Sequence, residues 1–344
     1  MSSCSEPRPS CSEPRPSGSE PRPSGSEPRH ICEVCGLSFF DFIQKFHKNN
    51  EECLNFFKDH NIIPSALTCP KCKSACIFRQ DQALWRCHTS CKDKKHKRVK
   101  RCGFTVSNYK GTFLGKSKLQ PWQILLFSAC WLRKTFKHTD TCENLEMNSE
   151  ACVDWRSYCS EVTLHWFSQQ RPIGGDNIIV EIDETLICKR KHNTGRILNQ
   201  LWLFGGIERE SKKHFIVPLQ DLEDQSVPRN RESLFPIIQK YIKPGSVIVS
   251  DCWKAYDTLD TLQYEHWRIN HSLHFIDPED PLIHTQNIER LWRDLKEYIR
   301  RPGIRSKYLK QYVSRYLFIK NTPPHLRLHQ FYSAAADLYP HSTV

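Results

Sequence analysis

The sequence predicts an α/β domain, and three stretches predict it. Two are β-branched strands that each end in an aspartate; the third is an amphipathic helix with a glutamate beside its apolar face. In residues 177–184, NIIVEIDE, the apolar Ile178, Ile179, Val180 and Ile182 follow a break at Gly174-Gly175, which is the pattern of a buried strand. The run ends in Asp183. Burying an unpaired carboxylate costs several kcal/mol, so an acid at the tip of a core strand calls for a metal, a cation or water; otherwise it merely caps the strand end. Residues 246–251, SVIVSD, repeat the pattern after a Pro244-Gly245 turn and end in Asp251. From His284 the chain reads HTQNIERLWRDLKEYIRR, with Ile288, Leu291, Trp292, Leu295 and Ile299 on one helical face and Glu289 next to it. Alone, Glu289 reads as a solvated helix acid or an ion-pair partner. As a set, Asp183, Asp251 and Glu289 offer the hard oxygen ligands that Mg²⁺ or Mn²⁺ takes. Two such ions about 3.5–4 Å apart activate water or a 3′-hydroxyl and stabilise the leaving oxygen of a phosphodiester.

At 344 residues the chain has room for two or three domains, one with a sizeable core. A formal charge of +12 favours a polyanionic partner without identifying it. Apolar runs all fall well short of the roughly 18 residues a membrane span needs, so no membrane partner is expected. The N-terminus lacks the apolar stretch of a secretory signal. The 17 cysteines therefore belong in a reducing compartment, where CxxC spacing reads as metal binding before disulfide. Cys130, Cys159 and Cys188 lie in apolar or mixed runs and read as buried small hydrophobes.

Residues 1–30 repeat CSEPRPS and GSEPRPS with nothing to bury, and a disordered tail is expected. In 31–63, Cys32, Cys35, His47 and Cys53 offer a small zinc finger, or else the segment is a short apolar helix with two incidental thiols. Residues 64–115 are a stronger case. The spacing C-x2-C-x14-C-x14-C through Cys69, Cys72, Cys87 and Cys102 predicts a Zn²⁺ ribbon. In small peptides such zinc sites are worth about 10–16 kcal/mol, enough to fold a unit with little core. Cys91 competes for the fourth place, but Cys102 precedes the strand-like FTVSNY, which can pair back as a ribbon. Between the halves, Lys94, Lys95, Lys97, Arg98, Lys100 and Arg101 form a basic run suited to phosphate contact rather than a merely solvated loop.

Residues 116–172 turn helical. PWQILLFSACWLRKTF begins with Pro at the first helical position. Helices over 140–145 and 149–167 then flank a Met147-Asn148 turn with Ser149 as N-cap. Carrying Trp155, Tyr158 and Trp166, they read either as a helix-turn-helix or as a helical linker packed on the next domain.

In 173–322, Asp183 is followed by a basic segment with Lys189, Arg190, Lys191 and Arg196, placed to hold a phosphate backbone. Strands over 200–208 and 214–219, a helix over 232–242, the Asp251 strand, a short helix through Trp253 and Tyr256, a strand at 267–270, the Glu289 helix and a helix over 308–320 complete the domain. The tail 323–344 is expected to be peripheral. This order is that of a ribonuclease-H-like fold, in which three antiparallel strands and a parallel extension bring three acids together.

The same residues carry a family resemblance. VEIDET with KRKHNTGR and QLWLFGGIER after it, PGSVIVSDCWKAY and HTQNIERLWRDLK resemble the Merlin-type cut-and-paste transposases and their bacterial insertion-sequence relatives. CPKC…WRC…CGFTVSNYKGTF resembles that family's N-terminal zinc module, so the likeness spans about residues 65–330. It implies a DDE transposase with Asp183, Asp251 and Glu289 as the metal-binding triad. It also implies that His284 and Gln286-Asn287 match the family's residues before the third acid. Double-stranded DNA is the implied partner, as transposon terminal inverted repeats and as target, with a homo-oligomer acting on it in the nucleus. Arg290, Arg293 and Lys296 are candidate DNA-backbone contacts, or else a solvated face paired with Asp294 and Glu297. The loop over 222–228 and the repeats in 1–30 depart from the pattern, and neither touches the triad. Rival readings are a domesticated or inactive DNA-binding protein without cleavage activity, a ribonuclease-H-like nuclease on RNA–DNA hybrids, and a zinc-ribbon transcription-type module. The last leaves 175–320 unexplained.

Overall fold

In a computed structural model, residues 32–92, 99–115, 117–133, 137–187, 201–221, 223, 225–270, 283–300 and 305–340 are described. The repeat tail lies outside them. After a turn at Glu33–Gly36 come two short helices, α1 (Phe39–Phe46) and α2 (Asn50–Asp59). Each starts where a polar side chain accepts an otherwise unpaired N–H: Ser38 from Asp41 and Asn49 from Glu52. Their aromatic faces, Phe42, Phe46, Phe56 and Phe57, are buried.

Three strands, β1 (Ile77–Arg79), β2 (Leu84–Arg86) and a later partner, β5 (Thr105–Ser107), form a small antiparallel sheet. It encloses the hairpin β3 (Ser90–Lys92) and β4 (Val99–Arg101). Its core is small: Leu67, Cys69, Cys76, Trp85 and Cys87.

Helix α3 (Pro121–Arg133) is buried from Trp122 through Leu132, so it runs through the core rather than over it. Helices α4 (His138–Asn144) and α5 (Ser149–Ser168) follow. Asn148, not Ser149, caps α5. Its backbone is still extended and its Oδ1 accepts the Ala151 N–H at 2.7 Å, whereas Ser149 is already helical.

The central sheet contains β6 (Ile179–Leu186), β7 (Trp202–Glu208), β8 (His214–Pro218), β9 (Val247–Asp251) and β10 (Glu265–Ile269), in the order β10-β9-β6-β7-β8. β6, β7 and β8 are antiparallel; β9 and β10 extend the sheet in parallel from β6. This is the expected antiparallel triplet with a parallel extension in a mixed α/β architecture. On one face lie α6 (Arg231–Tyr241) and the segment through Tyr256 and Tyr264, packed on Val180, Ile182, Phe204 and Ile248. On the other lie α7 (Gln286–Arg300) and α8 (Leu309–Asn321), packed on Leu203, Ile207 and Ile216. Alternate residues of a strand serve opposite faces, so one five-stranded sheet supports both cores.

The final helix, α9 (Arg327–Leu338), overturns the expectation of a peripheral tail. Leu328, Phe331, Tyr332 and Ala335 recur at helical spacing and are buried in one core with residues from α1, α2, α3 and α5. Phe318 of α8 belongs to that core too, and Arg315 of α8 donates to the Trp131 carbonyl while stacking on its ring at 4.4 Å. The helices of 31–63, 116–172 and 323–340 thus share one core, which α8 joins to the sheet.

Candidate active site

β6 is the spine of the site. Glu181 and Asp183 point to the α7 face, and Glu184 to the other. Asp183 pairs in register with Gly205 of β7. β6 and β9 run parallel with Glu181 opposite Val249, and the same offset carried two residues further sets Asp183 beside Asp251 at the end of β9.

Glycine at 205 is a steric requirement. A Cβ there would sit 2.6 Å from Cη2 of Trp292 and 2.9 Å from the Phe215 carbonyl oxygen. Without it, Trp292 of α7 lies across the sheet and its Nε1–H donates to Asp183 Oδ2 at 2.9 Å. Asp183 and Glu289 face a cleft of about 710 Å³, whose lining includes Thr185, Trp292, Arg293 and Lys296.

Two carboxyls here are strongly perturbed. Burial pushes Asp183 up from an ordinary 3.8 to about 7; the Trp292 and Glu184 N–H groups oppose this, and the Asp251 and Glu289 charges add to it. Burial likewise lifts Glu184 to about 7, against the Tyr256 hydroxyl that donates to it and with the Asp183 and Asp251 charges. Desolvation and like charge act together, as at sites that hold a cation or a proton. Asp183 and Asp251 are half-buried and Glu289 is exposed, and hard carboxylate oxygens that repel one another in this way are the donor set a divalent ion such as magnesium fits. Among the described residues, the triad stands wider than the two groups whose potential ligand atoms all lie within 4.8 Å of one another.

Glu181 holds the third acid in place. It is fully buried and accepts from the backbone N–H groups of Asn287 (2.9 Å) and Ile288 (3.1 Å), at the start of α7, and from Asn287 Nδ2 (2.7 Å). Arg209 Nε and Nη2 donate to it at 3.0 and 2.9 Å, and Nη2 also donates to the His284 carbonyl at 2.9 Å. His284 Nδ1 is 3.5 Å from the same carboxylate. A buried charge thus caps α7 and fixes where Glu289 sits, with the Thr285 hydroxyl 3.4 Å from the Glu289 carboxylate. Neither Glu181 nor Glu184 was singled out in the sequence. The alternation of acids in VEIDE was the available signal, but it does not tell a ligand from a clamp.

The ribbon cysteines converge. Cys69 and Cys102 sulfurs are 3.5 Å apart and those of Cys72 and Cys87 3.4 Å, and all four lie within 4.8 Å of one another. The Ser74 backbone N–H, with the Cys87 thiol, draws the Cys72 thiol down to about 6, toward the thiolate that zinc takes. Cys91 instead belongs to β3, opposite Lys100. The earlier pair behaves differently from expectation. Cys32 and Cys35 meet His60, not His47 or Cys53. His47 packs edge-on against Trp122, and the Cys53 thiol turns inward to the Phe46 carbonyl.

Of the basic candidates, Arg101 is exposed on β4 and Lys100 lies on the same strand. Arg293 and Lys296 line the cleft, while Arg290 is exposed on the same helix and Asp294 pairs with Lys320 at 2.8 Å. Lys94, Lys95, Lys97, Arg98, Lys189, Arg190, Lys191 and Arg196 lie outside the described residues.

Asp183 lies inside β6, which runs on to Leu186, while Asp251 ends β9 and Glu289 sits on α7; this part of the chain is similar to DDE-type transposase domains related to those of bacterial insertion sequences. Residues 175–321 match the family model of the ISXO2-like transposase domain, a span holding all three acids, Gly205 and α7. An uncharacterized transposase-like protein of Haemophilus influenzae is 32% identical over 82 residues, which cover 24% of this chain and 64% of that protein. Male abnormal protein mab-31 of Caenorhabditis elegans is 22% identical over 228 residues, 61% of this chain and 50% of its own length. The chain therefore spans less than two thirds of either relative. A chain of the simian T-cell lymphotropic virus intasome, solved with PP2A regulatory subunit B56 gamma, aligns at 15% identity and a TM-score of 0.28, covering 55% of this chain and 67% of that one. No helix among the described residues is long and apolar enough to cross a membrane.

Proposed function

We propose that this protein is a cut-and-paste DNA transposase whose ribonuclease-H-like domain, residues 173–322, cleaves transposon ends and joins them to target DNA. The observation that carries this reading is Asp183: half-buried, facing the charges of Asp251 and Glu289 within the family-matched span, and raised to about 7. Asp183, Asp251 and Glu289 would hold Mg²⁺ or Mn²⁺, which when bound supplies Lewis-acid activation of the phosphodiester and of the attacking water or 3′-hydroxyl. The protein's own part is positional. Trp292 orients the Asp183 carboxylate, Glu181 and Arg209 fix the start of α7 so that Glu289 faces the cleft, and Arg293 and Lys296 offer cations to the DNA backbone there. Zn²⁺ on Cys69, Cys72, Cys87 and Cys102 would hold the ribbon and present the basic hairpin to phosphates. The working form is a homo-oligomer on terminal-inverted-repeat DNA, in the nucleus.

The test is Asp251→Asn. Cleavage of a terminal-repeat duplex with Mg²⁺ or Mn²⁺ is expected to vanish while DNA binding survives; unchanged cleavage rejects the triad. The second reading is a domesticated DNA-binding protein without cleavage activity, and the same assay separates the two. A wild-type protein that binds the duplex but leaves it intact with either metal would select that reading.

A further inference from the structure

We infer that Cys32, Cys35 and His60, completed by His329, form a second, structural zinc site that clasps the start of the helical core to its last helix. The Cys-Glu-Val-Cys-Gly turn is closed by the Cys35 N–H donating to the Cys32 carbonyl at 2.9 Å, which puts both thiols on one side. His60, at the end of α2, is oriented as metal-bound histidines are. Its Nδ1 lies 2.8 Å from the Phe56 carbonyl, which can only accept, so that nitrogen carries the proton and Nε2 keeps its lone pair. Nε2 faces the Cys35 sulfur at 3.2 Å, and the three ligand atoms lie within 4.8 Å of one another. Tetrahedral zinc with ordinary Zn–S and Zn–N bonds sets such neighbours roughly 3.5–3.8 Å apart, so small side-chain adjustments admit the ion.

The fourth ligand comes from α9. The His329 ring centroid is 5.4 Å from that of His60, and its Nδ1 is buried with no hydrogen-bond partner. A buried, unpaired ring nitrogen close to an oriented imidazole is an unexplained cost without a ligand. Binding releases the two thiol protons and leaves a neutral Cys2His2 site. The ion would tie residues 32–36 to the end of α2 and both to the final helix.

Metal counting on the purified full-length chain tests this independently of DNA cleavage. Expected is one equivalent of zinc lost on Cys35→Ser or His60→Asn, with the equivalent removed by Cys69→Ser/Cys72→Ser untouched. Zinc content unchanged by Cys35→Ser overturns the proposal. Cobalt exchange into the wild type avoids any folding defect of the variants. The proposal expects a tetrahedral spectrum with two components, one with about half the thiolate charge-transfer intensity of the other; a single four-thiolate component overturns it. His329→Ala should release the second metal to a chelator at least tenfold faster, and unchanged release would remove His329 from the ligand set.

Discussion

Replacing Asp183 with Asn should make the metal-free protein more stable even as it abolishes cleavage. The fold holds this carboxyl at about 7 against an ordinary 3.8, so the native state binds its proton more tightly than the unfolded chain does. For an acid with a raised native pKa, the associated stability is fully present below 3.8, falls as pH rises, and is gone above 7. A shift of about three units is on the order of 4 kcal/mol at 1.36 kcal/mol per unit, and relaxation around the charge brings it to about 2–4. Asn is nearly isosteric, stays neutral, and can still accept from Trp292 through its carbonyl oxygen. Urea denaturation in EDTA should therefore show Asp183→Asn ahead of wild type by about 2–4 kcal/mol at pH 8, with the gap closing toward pH 4. Adding Mg²⁺ at pH 8 should stabilise wild type and leave the variant unmoved, because only the wild type has the ligand. A variant no more stable than wild type at pH 8 in EDTA would refute the argument that an uncompensated buried charge sits at this position.

Glu181→Gln removes the carboxylate that faces the Arg209 guanidinium, whose side chain is only 14% exposed, and should cost about 3–5 kcal/mol in denaturation along with metal-dependent cleavage. Gly205→Ala forces Trp292 off the sheet and should cost about 1–3 kcal/mol; quantitative Mg²⁺ titration should also show weaker binding as Asp183 loses its donor. Stripping the Cys69, Cys72, Cys87 and Cys102 site with a strong chelator should open residues 68–107 to proteolysis while the central sheet stays protected, since that unit buries few side chains of its own.

Much of the fold was legible because its signals are local. The β-branched runs into Asp183 and Asp251, the apolar stripe of α7 and the even spacing of Cys69, Cys72, Cys87 and Cys102 are each contained in a short window, and each became the expected element or cluster. What was missed depends on partners far along the chain. Glu181 takes its meaning from Arg209, Asn287 and Ile288, and nothing in VEIDE distinguishes it from Asp183. Cys32 and Cys35 found His60 rather than the nearer His47 and Cys53, because the aromatic packing of α1 and α2 decides which side chains face the turn. α9 has apolar residues at helical spacing, yet only the shared core shows that they pack with α3 and α5.

The amino-acid sequence by itself determined which segments become strands and helices and which acids and thiols they carry, because backbone periodicity and side-chain shape act over a few residues. Tertiary structure alone decided that Glu181 would clamp α7 rather than join the cleft, that Trp292 would reach Asp183 over Gly205, and that the chain's last helix would close its first core. Those outcomes turn on which buried groups meet after the chain has closed on itself, and desolvation then makes each meeting costly to leave unpaired.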